Sequence, residues 1–209
     1  MDEAVTIIDL LRHGEPEGGH KYRGRLDDPL SARGLAQMRA VIGQRCPWKV
    51  VISSPLMRCL AFAQELADRY GLQLEIEPDL SEISFGVWEG RTLVEIVADT
   101  PHALTNFWRD PLRHPPPGGE SLQACQTRVE AAWQTLLERH AGRHVLLVGH
   151  GGVIRLVISH ILAMSLNHIW RLEVPYASLS RIRVHGRGAN AEPVLVFHSG
   201  SLPEPGQTG

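Results

Sequence analysis

Short apolar runs alternate along the chain with apolar positions spaced three and four apart. Residues 6–11 are almost continuously aliphatic or β-branched, with Asp9 the one interruption, as in a strand buried on both faces. Residues 49–53, 72–76, 144–148, 179–184 and 194–197 repeat that pattern and read as further strands. Ser31 is placed to cap a helix whose Leu35, Met38 and Ile42 recur at helical spacing. Pro55 opens another, with Leu56, Leu60, Ala63 and Ala67 on one face and Gly71 as its stop. Glu120 or Ser121 starts a long amphipathic helix along Leu122, Cys125, Val129, Ala132 and Leu136, and a further helix follows over 153–164.

Strands that alternate with helices imply βαβ units. The expected fold is α/β, a three-layer α/β/α arrangement with a mostly parallel central sheet and helices on both faces. Right-handed crossovers place the ends of the strands at 6–11, 49–53 and 144–148 on one sheet edge. Periodicity weakens over 79–117, where short helices at 93–98 and 103–108 are expected as a small inserted cap, closed by Pro115-Pro116-Pro117-Gly118-Gly119. The expected organisation is one domain over 1–198 carrying that cap, then a flexible Gly/Pro-rich tail over 199–209. The connection over 15–30 is longer than compact domains usually tolerate without a function for it.

Composition narrows the function classes. The 209 residues are 43% hydrophobic and 21% charged, ordinary values for a globular chain. A formal net charge of -2 argues against nucleic acid or an acidic membrane as partner. Cys46, Cys59 and Cys125 form no CxxC pair, so neither a disulfide framework nor a zinc site is expected. The acidic Met1-Asp2-Glu3-Ala4 lacks the basic start of a signal peptide, and no apolar run approaches the ~20 residues that span a bilayer. The expected location is the cytoplasm. Oligomeric state is left open, a homodimer included; Trp170 within 161–172 reads as core packing rather than as an interface.

The candidate chemistry lies at three strand ends. The first carries Arg12-His13, the second Ser53-Ser54-Pro55-Leu56-Met57-Arg58, and the third His150-Gly151-Gly152. Two arginines and two histidines at one sheet edge suit a tetrahedral dianion, because guanidinium forks match phosphate oxygens and helix N-termini add backbone donors. A neutral imidazole is a competent nucleophile, and neighbouring arginines favour the neutral form of His13. A proton for the departing alkoxide is available from Glu82, which follows an apolar run and precedes an aromatic, Gly-punctuated loop ending Trp88-Glu89-Gly90.

Arg12-His13-Gly14-Glu15, Ser53-Ser54-Pro55-Leu56-x-Arg58, Leu80-x-Glu82 with Phe85-Gly86-x-Trp88-Glu89-Gly90, and Gly149-His150-Gly151-Gly152 together resemble the histidine phosphatase superfamily, whose best-known branch is phosphoglycerate mutase. The resemblance runs in the family's order from residue 6 to about 160. It implies a phosphohistidine on His13, a phosphate pocket of Arg12, Arg58, His150 and Gly151, Glu82 as proton donor and acceptor, and neither metal nor cofactor. Gly24-x-x-Asp27-x-Pro29-Leu30-Ser31-x-x-Gly34, Trp108-x-x-Pro111 and Pro117-x-Gly119-Glu120-Ser121 look like the α-ribazole phosphatase branch and the broad-specificity phosphatases near it. One position departs from the family. Gly19 stands where many members carry an Asn that contacts the phosphoryl group, which makes Gly19, Lys21, Arg23 and Arg25 the candidate substrate contacts on that side. Trp108 is a candidate for stacking on a flat base.

The expected activity is therefore that of a phosphomonoesterase acting on a small phosphorylated metabolite, with α-ribazole 5'-phosphate as one candidate. A cofactor-dependent mutase is the alternative, but it needs more covering structure than a cap of this size offers. A catalytically silent phospho-ligand-binding protein is a third reading, set against the presence of both His13 and Glu82.

Overall fold

The structure is a computed structural model and describes residues 5–202. Six strands form one sheet: β1 (Thr6–Arg12), β2 (Val50–Ser53), β3 (Gln73–Ile76), β4 (His144–Gly149), β5 (Leu179–His185) and β6 (Glu192–Gly200), in the order β3-β2-β4-β1-β5-β6. The first four in that order are mutually parallel. β5 and β6 each run antiparallel to the preceding neighbour, so the sheet is mixed and its parallel part is the half that carries the three motif-bearing ends.

Successive strand residues point to opposite faces, and this builds two cores from one sheet. Leu10, Ile52 and Leu147 pack on one side against α5 (Leu122–Arg139) and α6 (Gly151–Ile161). Leu11, Val51, Leu146 and Val148 pack on the other against α1 (Ala32–Ile42) and α2 (Met57–Tyr70). Ser31 caps α1 by accepting the Gly34 N–H, Ser121 caps α5 by accepting that of Ala124, and Gly71 ends α2 in the left-handed conformation.

Two expectations need correction. α2 begins at Met57 rather than at Pro55, and its buried face is Arg58, Cys59, Phe62, Ala63, Leu66 and Ala67, while Leu56 and Leu60 sit at the half-buried rim. Arg58 is thus part of the inward stripe. The tail does not begin at 199. β6 continues to Gly200, which pairs with Leu179, and Leu202 is buried in the core beneath α1 and α2. The remainder of the proposed tail, 203–209, and the N-terminal residues 1–4 lie outside the described residues.

Between β3 and α5 the chain forms single 3-10 turns at Pro78–Leu80 and Gly86–Trp88 and the short helices α3 (Leu93–Asp99) and α4 (Pro101–Arg109). Trp88, Ile96, Leu104 and Phe107 give this segment an apolar cluster of its own. Thr92 and Glu95 close a capping box at the start of α3. Gly86 has positive φ, and a Cβ there would lie 2.3 Å from the Pro117 carbonyl oxygen, so the two ends of the segment meet backbone to backbone. Among the described residues no helix is long and apolar enough to cross a membrane.

Candidate active site

β1 ends in Arg12, and the next residue is His13. The turn beyond is pressed onto the start of α1 so closely that a Cβ on Gly14 would lie 2.0 Å from the Gly34 carbonyl oxygen. The His13 main chain is held from both sides: its N–H donates to Gly149 (3.0 Å) and its carbonyl accepts from Ala177 (3.1 Å). Its Nδ1 lies 2.7 Å from the Gly14 carbonyl, which can only accept, so Nδ1 carries the proton and Nε2 keeps its lone pair. Burial first, then the charges of Arg12 and Arg58, push the His13 pKa well below the usual imidazole range. The ring is neutral at physiological pH.

The two arginines are anchored by their terminal nitrogens. Arg12 Nη1 donates to the Val174 carbonyl (2.5 Å), and its guanidinium lies 4.2 Å above the Tyr176 ring. Arg58 donates from Nη1 to Leu26 (2.8 Å) and from Nη2 to Gly24 (2.6 Å). The Nε of each is buried and has no partner among the described residues. An unmet buried donor costs about 1–3 kcal/mol, a cost that an anion between the two arginines would relieve. Gly151 permits the approach, since a Cβ there would lie 3.3 Å from Arg12 Nε.

His150 stands at the N-cap of α6, wholly buried, with its ring edge-on to His13 at 5.3 Å between centroids. Its Nε2 is 2.7 Å from Ser54 Oγ, and Cys59 Sγ packs at 3.6 Å. Burial, followed by the charge of Arg58, also lowers its pKa well below the ordinary value. Glu82 reaches the same helix end. Its Oε2 accepts the Gly152 N–H (3.1 Å) and its Oε1 accepts that of Ile83 (3.1 Å). A Cβ on Gly152 would lie 2.3 Å from Glu82 Oε1, so the glycine makes room for the carboxylate.

These groups surround a cavity of about 330 Å³. Arg12, His13, Arg58, Glu82 and Gly151 line it; the fully buried His150 does not, but its ring packs against that of His13. Lys21, Arg23 and Trp108 also reach its wall. Gly19 and Arg25 do not line it. The loop over 15–30 closes on itself through a bridge between Pro16 and Leu30, and its interior is spent on its own structure. Gly19 offers its carbonyl to Arg23 Nη2 (2.6 Å), whereas the half-exposed Arg25 side chain approaches Glu120 at 3.8 Å. Asp28 pairs with both Lys21 and Arg23, at 2.8 and 2.9 Å.

Sequence reasoning missed part of the wall. Arg155 lines the cavity one turn beyond Gly151 on α6, a spacing that was available as a signal; its Nε is anchored on the Leu172 carbonyl (2.7 Å). Tyr176 comes from the connection before β5, with no motif around it. Tyr22, Phe85 and Trp170 join Trp108 in an aromatic side, with the Trp108 and Trp170 rings 4.6 Å apart and Trp108 Nε1 donating to Tyr22 Oη (3.2 Å).

A parallel α/β edge with a neutral, tautomer-fixed histidine between two underused guanidinium groups defines a phosphate-handling enzyme. The model of the histidine phosphatase superfamily (branch 1) matches residues 8–194, and the chain belongs to that superfamily. Phosphoserine phosphatase 1 of Hydrogenobacter thermophilus is 30% identical over 187 residues, 88% of this chain and 88% of that protein. The adenosylcobalamin/alpha-ribazole phosphatase of Escherichia coli is 30% identical over 86% of this chain and 91% of its own length. A mycobacterial glucosyl-3-phosphoglycerate phosphatase, solved with VO3, superposes with a TM-score of 0.81 at 30% identity, covering 91% of this chain and 97% of that one. The chain spans about half (52%) of a longer bifunctional protein of Mycobacterium tuberculosis to which it is also similar. The chain is a phosphomonoesterase of the histidine phosphatase superfamily.

Proposed function

We propose that the reaction runs through a phosphohistidine on His13 and that the released alcohol carries a flat ring. His13 Nε2 attacks phosphorus while Arg12, Arg58, His150 and the α6 N-terminus at Gly151 bind the phosphoryl oxygens. The P–O bond to the alcohol breaks as Glu82 gives it a proton. Glu82 then takes a proton from water, which attacks the phosphohistidine, releases inorganic phosphate and restores the imidazole. The observation that carries this reading is the His13 ring itself, with Nδ1–H tied to Gly14 and Nε2 free beside two unpartnered guanidinium Nε groups.

The aromatic side formed by Trp108, Trp170, Tyr22 and Phe85 supports a flat leaving group, and α-ribazole 5'-phosphate is the candidate that combines such a ring with a phosphomonoester. Its likeness to an α-ribazole phosphatase agrees with that choice. Three free cysteines, two of them buried, fit a reducing compartment, and we assign the chain to the cytoplasm. The test is phosphate release from α-ribazole 5'-phosphate, phosphoserine and 3-phosphoglycerate. The ribazole ester is expected to give the highest kcat/KM, and Trp108→Ala to lower it about tenfold while leaving phosphoserine nearly unchanged. A preference for phosphoserine would overturn the substrate assignment, and dominant isomerisation of 3-phosphoglycerate would favour the mutase reading.

A further inference from the structure

The Glu82 carboxylate is fixed by two backbone N–H groups, and the main chain that carries it is gripped from behind by a residue facing away from the cavity. Arg128, on the inward side of α5, makes a bidentate fork on Glu120, with Nε to Oε1 at 2.7 Å and Nη2 to Oε2 at 2.8 Å. Both side chains are only 14% exposed. Apart from a contact of Nη2 with Cys125 Sγ (3.2 Å), the rest of the guanidinium is directed at one short stretch of backbone. Nη1 donates to the carbonyls of Asp79 (2.5 Å) and Ser81 (2.8 Å), and Nη2 reaches that of Glu82 (3.4 Å). Glu120 accepts the Ser84 N–H (3.4 Å) on its side chain and donates its own N–H to the Ser84 carbonyl (2.9 Å). The guanidinium is thereby fully engaged, with both Nη1 donors on the carbonyls of Asp79 and Ser81 and Nη2 shared among Glu120, Cys125 and the Glu82 carbonyl.

An ion pair kept only for stability has no reason to place its spare donors on three carbonyls of the short segment bearing Glu82. We propose that Arg128, with Glu120, is a positioning residue for proton transfer: it sets the path of residues 79–84 so that the Glu82 carboxyl remains at the α6 N-terminus, against the cavity. The inference rests on Glu82 being the proton donor. Proton transfer demands hydrogen-bond reach, and a displacement of about 1 Å can cost about 10²-fold in rate.

The test compares kcat/KM for two esters, since kcat/KM reports the steps up to phosphohistidine formation and leaves its hydrolysis aside. Phosphoserine releases an alkoxide that needs a proton, whereas p-nitrophenyl phosphate releases a phenolate that leaves without one. For Glu82→Gln the phosphoserine value is expected to fall about 10²–10⁴-fold, with p-nitrophenyl phosphate nearly unaffected. For Arg128→Gln the same selective loss is expected, about 10- to 100-fold, with the inhibition constant of inorganic phosphate unchanged. Because Arg128→Gln leaves a buried carboxylate unpaired, the double variant Glu120→Gln/Arg128→Met removes both charges and is read in the same way. Equal losses on both esters, or no loss, in Arg128→Gln and the double variant while Glu82→Gln stays selective would overturn the positioning role alone. A Glu82→Gln variant that is not selective would remove Glu82 as proton donor and the positioning role with it.

Discussion

His13 owes its reactivity to its neighbours. The Gly14 carbonyl chooses the tautomer, burial and two guanidinium groups keep the ring neutral, and His150 packs against its edge. A histidine whose pKa is lowered remains an available nucleophile at pH values where a free imidazole would already be protonated. In an NMR titration of the unliganded protein, the His13 ring is therefore expected to stay neutral through pH 6.5 and to protonate only well below it. Arg58→Gln removes one of the repelling charges and is expected to move that transition upward. A His13 that titrates at or above 6.5, or does not respond to Arg58→Gln, would contradict the assignment. At this scale the motifs put Arg12, His13 and His150 at strand ends that the apolar pattern defines, whereas Arg58 enters from the first turn of α2 and Glu82 from the irregular segment after β3. Gly19 and Arg25 stand away from the cavity wall because the closure of the loop over 15–30 depends on Asp28 and on backbone pairing, neither of which has a periodic signal. Tyr176 was invisible for a related reason: it lies in an irregular connection and reaches the cavity only through the return of the chain into β5.

Elements place these residues through their ends rather than their lengths. The start of α6 serves twice, presenting its first turn to the cavity through Gly151 and giving the Gly152 N–H to Glu82. Alanine is the better helix former, so Gly152→Ala should not harm the helix as such. Its Cβ would nevertheless lie 2.3 Å from Glu82 Oε1 and must displace the carboxylate. The expected result is a folded protein of unchanged helix content by circular dichroism, with kcat/KM for an alkyl phosphate lowered about 10- to 100-fold. Full activity would show that Glu82 need not occupy its observed position. The long stripe of α5 and the Ser31 and Ser121 caps were readable directly from spacing. The face of α2 was not, because a buried Arg58 looks polar to any periodicity argument while its side chain satisfies the carbonyls of Gly24 and Leu26.

Over the whole molecule, the alternation that sends Leu10 to one face and Leu11 to the other explains why one sheet supports two cores and leaves its carboxyl edge free for polar groups. Asp9, the polar break in the first apolar run, is the converse case. It is fully buried and accepts from Trp48 Nε1 (2.8 Å) and Arg181 (2.7 and 2.9 Å), with His144 Nε2 at 2.9 Å. Burial opposes its ionisation, but Arg181 and His144 outweigh that, and its pKa lies below the usual carboxylate value. It joins β1 to β4, to β5 and to the connection before β2, a role that no local pattern announces. β5 and β6 were readable as strands, but their antiparallel pairing and the extension to Gly200 were not, since pairing with distant residues has no local signal and a Gly/Pro-rich composition reads as a tail. The nucleophilic role proposed for His13 is what this assembly supports. It is tested most directly by quenching the enzyme during turnover of a substrate radiolabelled in its phosphoryl group and mapping the label. An acid-labile, base-stable phosphoenzyme is expected on the peptide bearing His13, absent from a His13→Asn variant that is inactive. Label on another residue, or undiminished turnover by His13→Asn, would contradict it.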